Sequence, residues 1–366
     1  MKFIKKIIAA AVALITSLTT AQVAAKTFPT TIMKRLPVEV VDSGGTLIFS
    51  DSPEYVTRNG ILYTDIVSGS ARILFYHLNS TGVKKKFAVI VENLERKENT
   101  IEITRGGFSA PSNNFLLVGK ETQLMYMQNN FYDEIKLARR EIKLFQKKMD
   151  EVVVNPGHLV YGVYDFYTTG FVRIYVLMYP EKADPLKFLK YAEILPKDEN
   201  KLRGTFKNMN RTISLRQDYD AQRDGIGYIL ICDNVTDFFK RGIDATDGSE
   251  VINFGNYGIN YMLNFDMKSK TKFYLTPLGG TYAGALCFYN GKDSGTIPTP
   301  KDKIYFGDKI LPETASTKRA REDGISLWNK YNDFSELGSY SGKITFEYSP
   351  PGASNLPVNF VLMPDN

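Results

Sequence analysis

Residues 159–179 constrain most tightly what this chain can fold into. Over 171–179, Val172, Ile174, Val176 and Met178 alternate with Arg173 and Tyr175. Successive side chains of an extended backbone point to opposite sides, so this spacing gathers one apolar face and one wetter face. Residues 159–167 read the same way, and Thr168-Thr169-Gly170 between them reads as a hairpin turn. A second hairpin is expected between residues 71–78 and 87–92, joined through Asn79-Ser80-Thr81-Gly82, all turn formers. Such runs and turn signals recur at short intervals from Val38 to Tyr179, the pattern of a β-sandwich or barrel. The 22 Tyr and 23 Phe, against a single Trp, favour strands as well.

One stretch departs from alternation. Phe131, Ile135, Ala138, Ile142, Phe145 and Met149 recur three and four residues apart among charged positions, which predicts an amphipathic helix over 131–149, capped by Asn129 or Asn130 and packed on its own sandwich. Asp184-Pro185 predicts a second, short helix reaching Ala192. The charged segment 183–203 lacks alternation and reads as a linker between an N-terminal domain, 26–182, and a C-terminal domain, 204–366. In the latter, strands are expected over 211–217, 227–232, 258–265, 272–277, 282–289, 343–348 and 358–363, with a long loop at 290–341. The expected fold is therefore all-β and mainly antiparallel: two β-sandwich-like domains with one amphipathic helix inserted in the first.

The first 25 residues give an address. Lys2, Lys5 and Lys6 precede an apolar run, 7–18, and Val23-Ala24-Ala25 has the form of a cleavage site, together a secretory signal peptide. The run is too short for a bilayer span, which needs roughly 20 residues. No later stretch reaches that length, so no integral membrane segment is expected and the mature protein should be extracytoplasmic, in periplasm, cell wall or medium. The chain has 46 Lys and Arg against 40 Asp and Glu; without the three leader lysines, 43 basic residues remain, a net charge of +3. The basic residues lie in separate clusters (84–86, 139–140, 147–148, 318–321) rather than in a stripe, which argues against a nucleic-acid partner. Cys232 and Cys287 both lie in strand-like runs, compatible with a disulfide or with two buried thiols.

Little catalytic equipment is visible. The two histidines, His77 and His158, have no metal-ligand spacing to each other or to a cysteine. There is no G-x-S-x-G elbow, P-loop or dinucleotide fingerprint. Leu311-Pro312-Glu313-Thr314-Ala315 has the look of a sorting signal but lacks an apolar tail, and reads as a loop. Carboxylates remain: Asp218, Asp220 and Asp224 in one turn, and Asp244, Asp247 and Glu250 in the Gly- and Asn-rich loop 242–265. Asp244, Asp247 and Glu250 form a calcium candidate, with oxygen ligands and a turn glycine but without the full EF-hand spacing. No other cofactor is expected. At the same loop Asp244, Asp247, Asn256 and Tyr257 are the candidate ligand-binding residues.

Several phrases together resemble one family: Gly45-Thr-Leu-Ile-Phe-Ser-Asp-Ser-Pro-Glu54, Arg105-Gly-Gly-Phe-Ser-Ala-Pro-Ser112, Gly162-Val-Tyr-Asp-Phe-Tyr167, Leu202-Arg-Gly-Thr-Phe206, the loop 242–265, and Ser349-Pro-Pro-Gly-Ala-Ser-Asn-Leu-Pro357. They are similar to secreted bacterial proteins of unknown function, often labelled copper amine oxidase N-terminal domain-containing proteins, over nearly the whole mature chain. The resemblance implies secretion and a β-rich build. Oxidase activity would require a tyrosine in Asn-Tyr-Asp/Glu and three histidine ligands. Here Asn256-Tyr257 is followed by Gly258 and only two histidines exist, so no catalytic residue carries over. The expected function is a non-enzymatic binding protein of the cell envelope, with envelope polysaccharide or a surface protein as partner. The alternatives are a glycan hydrolase using the loop carboxylates, or a structural envelope component.

Overall fold

The computed structural model describes residues 33–278, 280–307 and 334–365. The leader and the 311–315 loop lie outside the described residues. With 54% of residues in strands and 9% in helices, the fold is all-β as expected, in one 12-stranded and one 9-stranded sheet, mainly antiparallel.

The first sheet is organised by two long strands, Gly60–Asn79 and Leu159–Pro180, paired antiparallel over nearly their whole length. Both bend where the register shifts between Thr168 and Val172. The expected hairpin turn at Thr168-Thr169-Gly170 is therefore corrected: it is the bend of one continuous 22-residue strand. β-branched threonines extend readily, and the alternation on either side stays in phase with one strand passing through. The first half of this strand pairs with Asn99–Phe108 and the second with Lys85–Asn93, so the sheet folds over on itself. The expected hairpin of 71–78 with 87–92 is likewise corrected. These runs meet across the core rather than through backbone hydrogen bonds, with the Phe75 and Phe87 rings 4.6 Å apart. Ile73, Phe75, Val89, Val91, Phe166, Val172, Ile174 and Val176 fill the space between.

The second sheet repeats the device. The strands expected at 258–265 and 272–277 are two halves of one strand, Asn260–Pro277, bent between Met267 and Thr271 and paired with Ser335–Tyr348. The segment 290–341 is not wholly loop: Asp293–Thr299 returns antiparallel to Gly284–Asn290, strand resumes at Ser335, and 308–333 lie outside the described residues.

The predicted helix over 131–149 does not form. Its place is taken by strands Asp133–Leu137 and Ile142–Leu144 and a single helical turn, Lys147–Glu151. The apolar positions Ile135, Phe145 and Met149 are buried all the same. The chain reverses between the strands with Arg140 at φ +60° and the Glu141 carboxylate accepting from the Ala138 amide at 2.7 Å. The long helix is Phe115–Gln128, N-capped by the Asn114 side chain. Asn129, expected to open a helix, closes this one in the left-handed conformation.

Strand membership crosses the segment 183–203 in both directions. Val38–Ser43 pairs with Asn210–Leu215 in the second sheet, and Arg203–Lys207 pairs with Thr46–Ser50 in the first. The segment carries the expected short helix, Pro185–Leu189, whose Asp184 side chain caps the Lys187 amide, and Phe188 packs it on Ile61, Leu177 and Tyr179. A shared apolar core, with Leu47, Phe49 and Leu74 from the first sheet and Leu263, Phe273, Phe346 and Phe360 from the second, joins the sheets.

Candidate functional site

The loop 242–265 is internally bonded. The Asp244 carboxylate is buried and receives Arg203 at 2.9 Å, with Lys197 at 3.5 Å, while its other oxygen accepts from the Thr246 amide and hydroxyl. Asp247 pairs with Lys197 at 2.6 Å, and Glu250 pairs with Arg241 on an exposed strand. A calcium ion at Asp244 and Asp247 would have to displace Lys197 and Arg203. Asn256 is buried in the left-handed conformation at φ +52°; its side chain accepts from the Lys240 amide and donates to Phe238 O and the Tyr261 hydroxyl. Asp244, Asp247 and Asn256 hold the loop in shape. Among the turn carboxylates, Asp220 caps the turn Ala221–Asp224 and Asp224 pairs with Arg223. Asp218 lines an open groove of about 440 Å³ whose charges are mixed, Arg216 and Lys343 against Asp218 and Asp266.

Tyr257, the remaining candidate, points elsewhere. It lines a cleft of about 300 Å³ with Tyr76, the apolar Phe49, Leu74 and Leu202, residues 352–355, and two carboxyl side chains, Asp51 and Glu54. The segments 45–54, 202–206, 242–265 and 349–357 meet here.

Alternation on the strand Thr46–Ser50 places the acids. Leu47 and Phe49 face the core shared by the sheets while Ile48 faces the inner core, so Asp51 follows Leu47 and Phe49 into the cleft. Ser50, on the opposite side, meets Nε2 of His77 at 2.8 Å, and His77 Nδ1 lies 2.9 Å from Pro53 O. A carbonyl only accepts, so Nδ1 carries the proton and Nε2 accepts from the serine hydroxyl. Burial lowers the His77 pKa to about 4, which keeps the ring neutral. His77 is thus a strap that holds the 51–54 turn. Asp198 ties the same turn from outside: it accepts from the Ser52 hydroxyl at 2.9 Å and the Glu54 amide at 2.7 Å.

The opposite rim is tight. A side chain on Gly352 would come within 2.9 Å of the Tyr76 ring and 3.3 Å of Tyr161, so only glycine lets this loop lie against both rings. Ala353 beside it adopts φ +65°, unusual for a residue with a Cβ. Tyr257 donates its hydroxyl to Ser354 O at 2.9 Å, which fixes the ring at the cleft.

The electrostatics single out Asp51. Asp237, Asp244 and Glu347 are buried outright, and each contacts an arginine: Arg211, Arg203 and Arg105. Asp51 keeps some exposure as a residue, but its Oδ1 is buried without a hydrogen-bond partner, and among the described residues neither Asp51, Glu54 nor Asp198 has an ion-pair partner. Burial pushes the Asp51 pKa well above the usual carboxylate range, with the charges of Glu54 and Asp198 adding to the effect. Burial and Asp198 raise Glu54 as well. An acceptor set that lacks its donors, walled by two tyrosines, is suited to a ligand that brings hydrogen-bond donors and a flat apolar face.

Sequence reasoning did not reach Asp51 or Glu54, although the parity of Leu47, Phe49 and Asp51 on one strand was a signal for the first. Cys232 and Cys287 are free, buried and separately engaged, Cys287 donating to Met127 O at 2.9 Å and Cys232 lying 3.5 Å from the Tyr261 hydroxyl. Among the described residues no cluster of three or more His, Cys, Asp or Glu is placed to hold a metal ion, and no helix is long and apolar enough to cross a membrane.

No family model matches the chain, and no curated protein does. Among solved structures, the CUB1-EGF-CUB2 domain of human MASP-1/3 aligns over 89% of this chain and 98% of that one, at 10% identity and a TM-score of 0.16. A likeness at that level carries no statement about fold or function.

Proposed function

We propose that this is an extracytoplasmic binding protein whose Asp51–Tyr257 cleft seats a saccharide of the cell envelope. The observation that carries the reading is the buried, unpartnered Oδ1 of Asp51 in a cleft flanked by Tyr76 and Tyr257. Sugars present hydroxyl donors around their edge and C–H faces to aromatic rings, and this cleft offers acceptors and rings in that arrangement. The leader pattern of residues 1–25 supports the location outside the cytoplasm.

The test is binding of the purified mature chain to isolated envelope glycans, with retention and released product measured on the same samples. Retention without product, weakened about tenfold or more (~1.4 kcal/mol) in Tyr76→Ala or Tyr257→Ala, is expected. Product release lost in Asp51→Asn would replace the binding reading with a hydrolytic one, because a carboxyl whose pKa is raised by burial is also the chemistry of a general acid. Absence of retention on every envelope glycan would refute the saccharide reading.

A further inference from the structure

We propose that the ligand of the cleft carries an ammonium group, seated on Asp51 and Glu54 and flanked by Tyr76 and Tyr257: an aminated rather than a neutral saccharide. This rests on the saccharide reading above and narrows it. The three carboxylates buried outright among the described residues each meet an arginine, Arg203 on Asp244, Arg211 on Asp237 and Arg105 on Glu347, and Arg72 holds the part-buried Asp165 through two hydrogen bonds of 2.6 and 2.8 Å. At the cleft the fold supplies no such cation among the described residues, and places Asp198, a third acid, beside the pair instead. The Arg203 guanidinium, which reaches the Ser52 carbonyl at 3.2 Å, is committed to Asp244 and to the carbonyls of Ser52, Leu62 and Leu195.

A neutral hydroxyl would bring donors to the Asp51 carboxyl but no charge to set against Asp51 and Glu54 as they ionise. An ammonium brings both, with three donors and a positive charge, and the faces of tyrosine rings favour cations. The groups facing Asp51 are Glu54, Asp198, Tyr76, Tyr161 and Tyr257, with neutral His77 behind the turn; all of them are acidic or neutral. A cation entering this site draws the carboxyl pKa values down toward their ordinary range, so it releases protons on binding, and its affinity rises with pH until the carboxyls are fully ionised.

The experiment is calorimetric titration of the mature protein with a β-1,4-linked glucosamine tetramer, with the same tetramer fully N-acetylated, and with spermidine, each in two buffers of different ionisation enthalpy. The expected result is at least about tenfold tighter binding (~1.4 kcal/mol) of the aminated tetramer, with proton release that the acetylated tetramer does not show. Asp51→Asn and Glu54→Gln should each reduce that preference, while Glu193→Gln, which removes an exposed carboxylate paired with Arg58, leaves it intact. Equal affinity for the two tetramers overturns the ammonium inference and leaves the saccharide reading standing. Spermidine binding as tightly as the aminated tetramer keeps the ammonium seat and removes the saccharide. Binding of none of the three overturns both. The preference and the proton count are read on the unaltered protein, so they decide even where a variant does not fold.

Discussion

Replacing Arg105 by methionine tests the premise on which the cleft was read, that a buried carboxylate in this fold depends on its cation. The Arg105 guanidinium contacts Glu347, donates Nε to Tyr126 O at 2.6 Å, and lies 4.0 Å from the centre of the Tyr126 ring. Tyr126 sits on the helix Phe115–Gln128 and donates to Asp165 at 3.0 Å, where Arg72 also binds. Arg72 reaches Met209 O and Gly258 O at 2.7 and 2.9 Å. The helix and both sheets are therefore joined through one buried chain of charges.

In Arg105→Met, Glu347 keeps two neutral donors, Asn260 at 2.6 Å and Tyr289 at 2.8 Å, and loses its charge partner. Breaking a buried pair on one side costs about 3–5 kcal/mol. At roughly 2–4 °C per kcal/mol for a chain of this class, Tm falls by on the order of 10 °C at neutral pH. The sign with pH follows from Glu347. Burial alone pushes its pKa up, and in the wild type Arg105 with Asn260 and Tyr289 outweighs burial and holds it below the usual value. That depressed pKa contributes stability present above the unfolded-state pKa and lost as pH falls through the folded one. With Arg105 gone burial wins, so the folded pKa rises above the unfolded value and stability is instead lost as pH rises. The Tm gap between variant and wild type should therefore widen from acid to neutral pH. Thermal melts followed by near-UV circular dichroism give both quantities, with Arg105→Met/Glu347→Gln as the second arm, expected to recover part of the loss. A single variant that loses under about 1 kcal/mol, or a gap that narrows toward neutral pH, refutes the premise.

Asp51→Asn should have the opposite effect: because the folded pKa of Asp51 is raised, its ionisation removes stability as pH rises, so the variant should melt above the wild type at neutral pH with a flatter Tm profile, and a lower melting point would contradict the assignment. Both thiols are buried and burial pushes their pKa values up, so an aromatic disulfide reagent should label neither Cys232 nor Cys287 in the native protein and both in denaturant; rapid native labelling of either would argue against its placement. Gly107→Ala would put a Cβ 2.2 Å from Thr122 O and 2.9 Å from Tyr126 N, both backbone, which must lift the helix off its strand; denaturant titration should show a loss of about 1–3 kcal/mol, and a neutral result would mean the helix sits farther away.

The strands were legible because alternation survives wherever one face is buried and the other wet. Their lengths were not. Thr168-Thr169-Gly170 reads as a turn and 266–270 as a break between two strands, yet each is the elbow of a strand that serves two layers in succession. The helix Phe115–Gln128 was invisible for the complementary reason: its buried face includes Lys120, Thr122 and Gln123, with Lys120 donating to Pro300 O and Lys303 O, so it has no apolar stripe to detect. At 131–149 a three-four spacing of apolar residues arose from two short strands and a turn, each burying its own residues, and spacing alone does not separate these cases.

The same limit applies to the site, and it shows how the two acidic regions differ. The loop 242–265 drew attention because its acids, glycines and asparagines are close in sequence, but residues close in sequence are those best able to satisfy one another locally. Asp247 accepts from the amide of Ser249, Asp244 from Thr246, and the Asn253 carbonyl from the amide of Asn256. Lys197 and Arg203 complete the neutralisation from a neighbouring strand and its approach. Such a loop is stiff and electrostatically closed. The cleft is assembled from segments near 51, 76, 202, 257 and 353, far apart in sequence and joined by bonds such as Asp51 N to Leu202 O and the Tyr257 hydroxyl to Ser354 O, and its carboxyls have no cation among the described residues. A buried acceptor without a donor lowers stability. The loop's contribution to the cleft is therefore positional: its internal bonds fix the backbone that sets Tyr257 beside Asp51, and changing Asp244 should disturb binding only as far as it moves that ring.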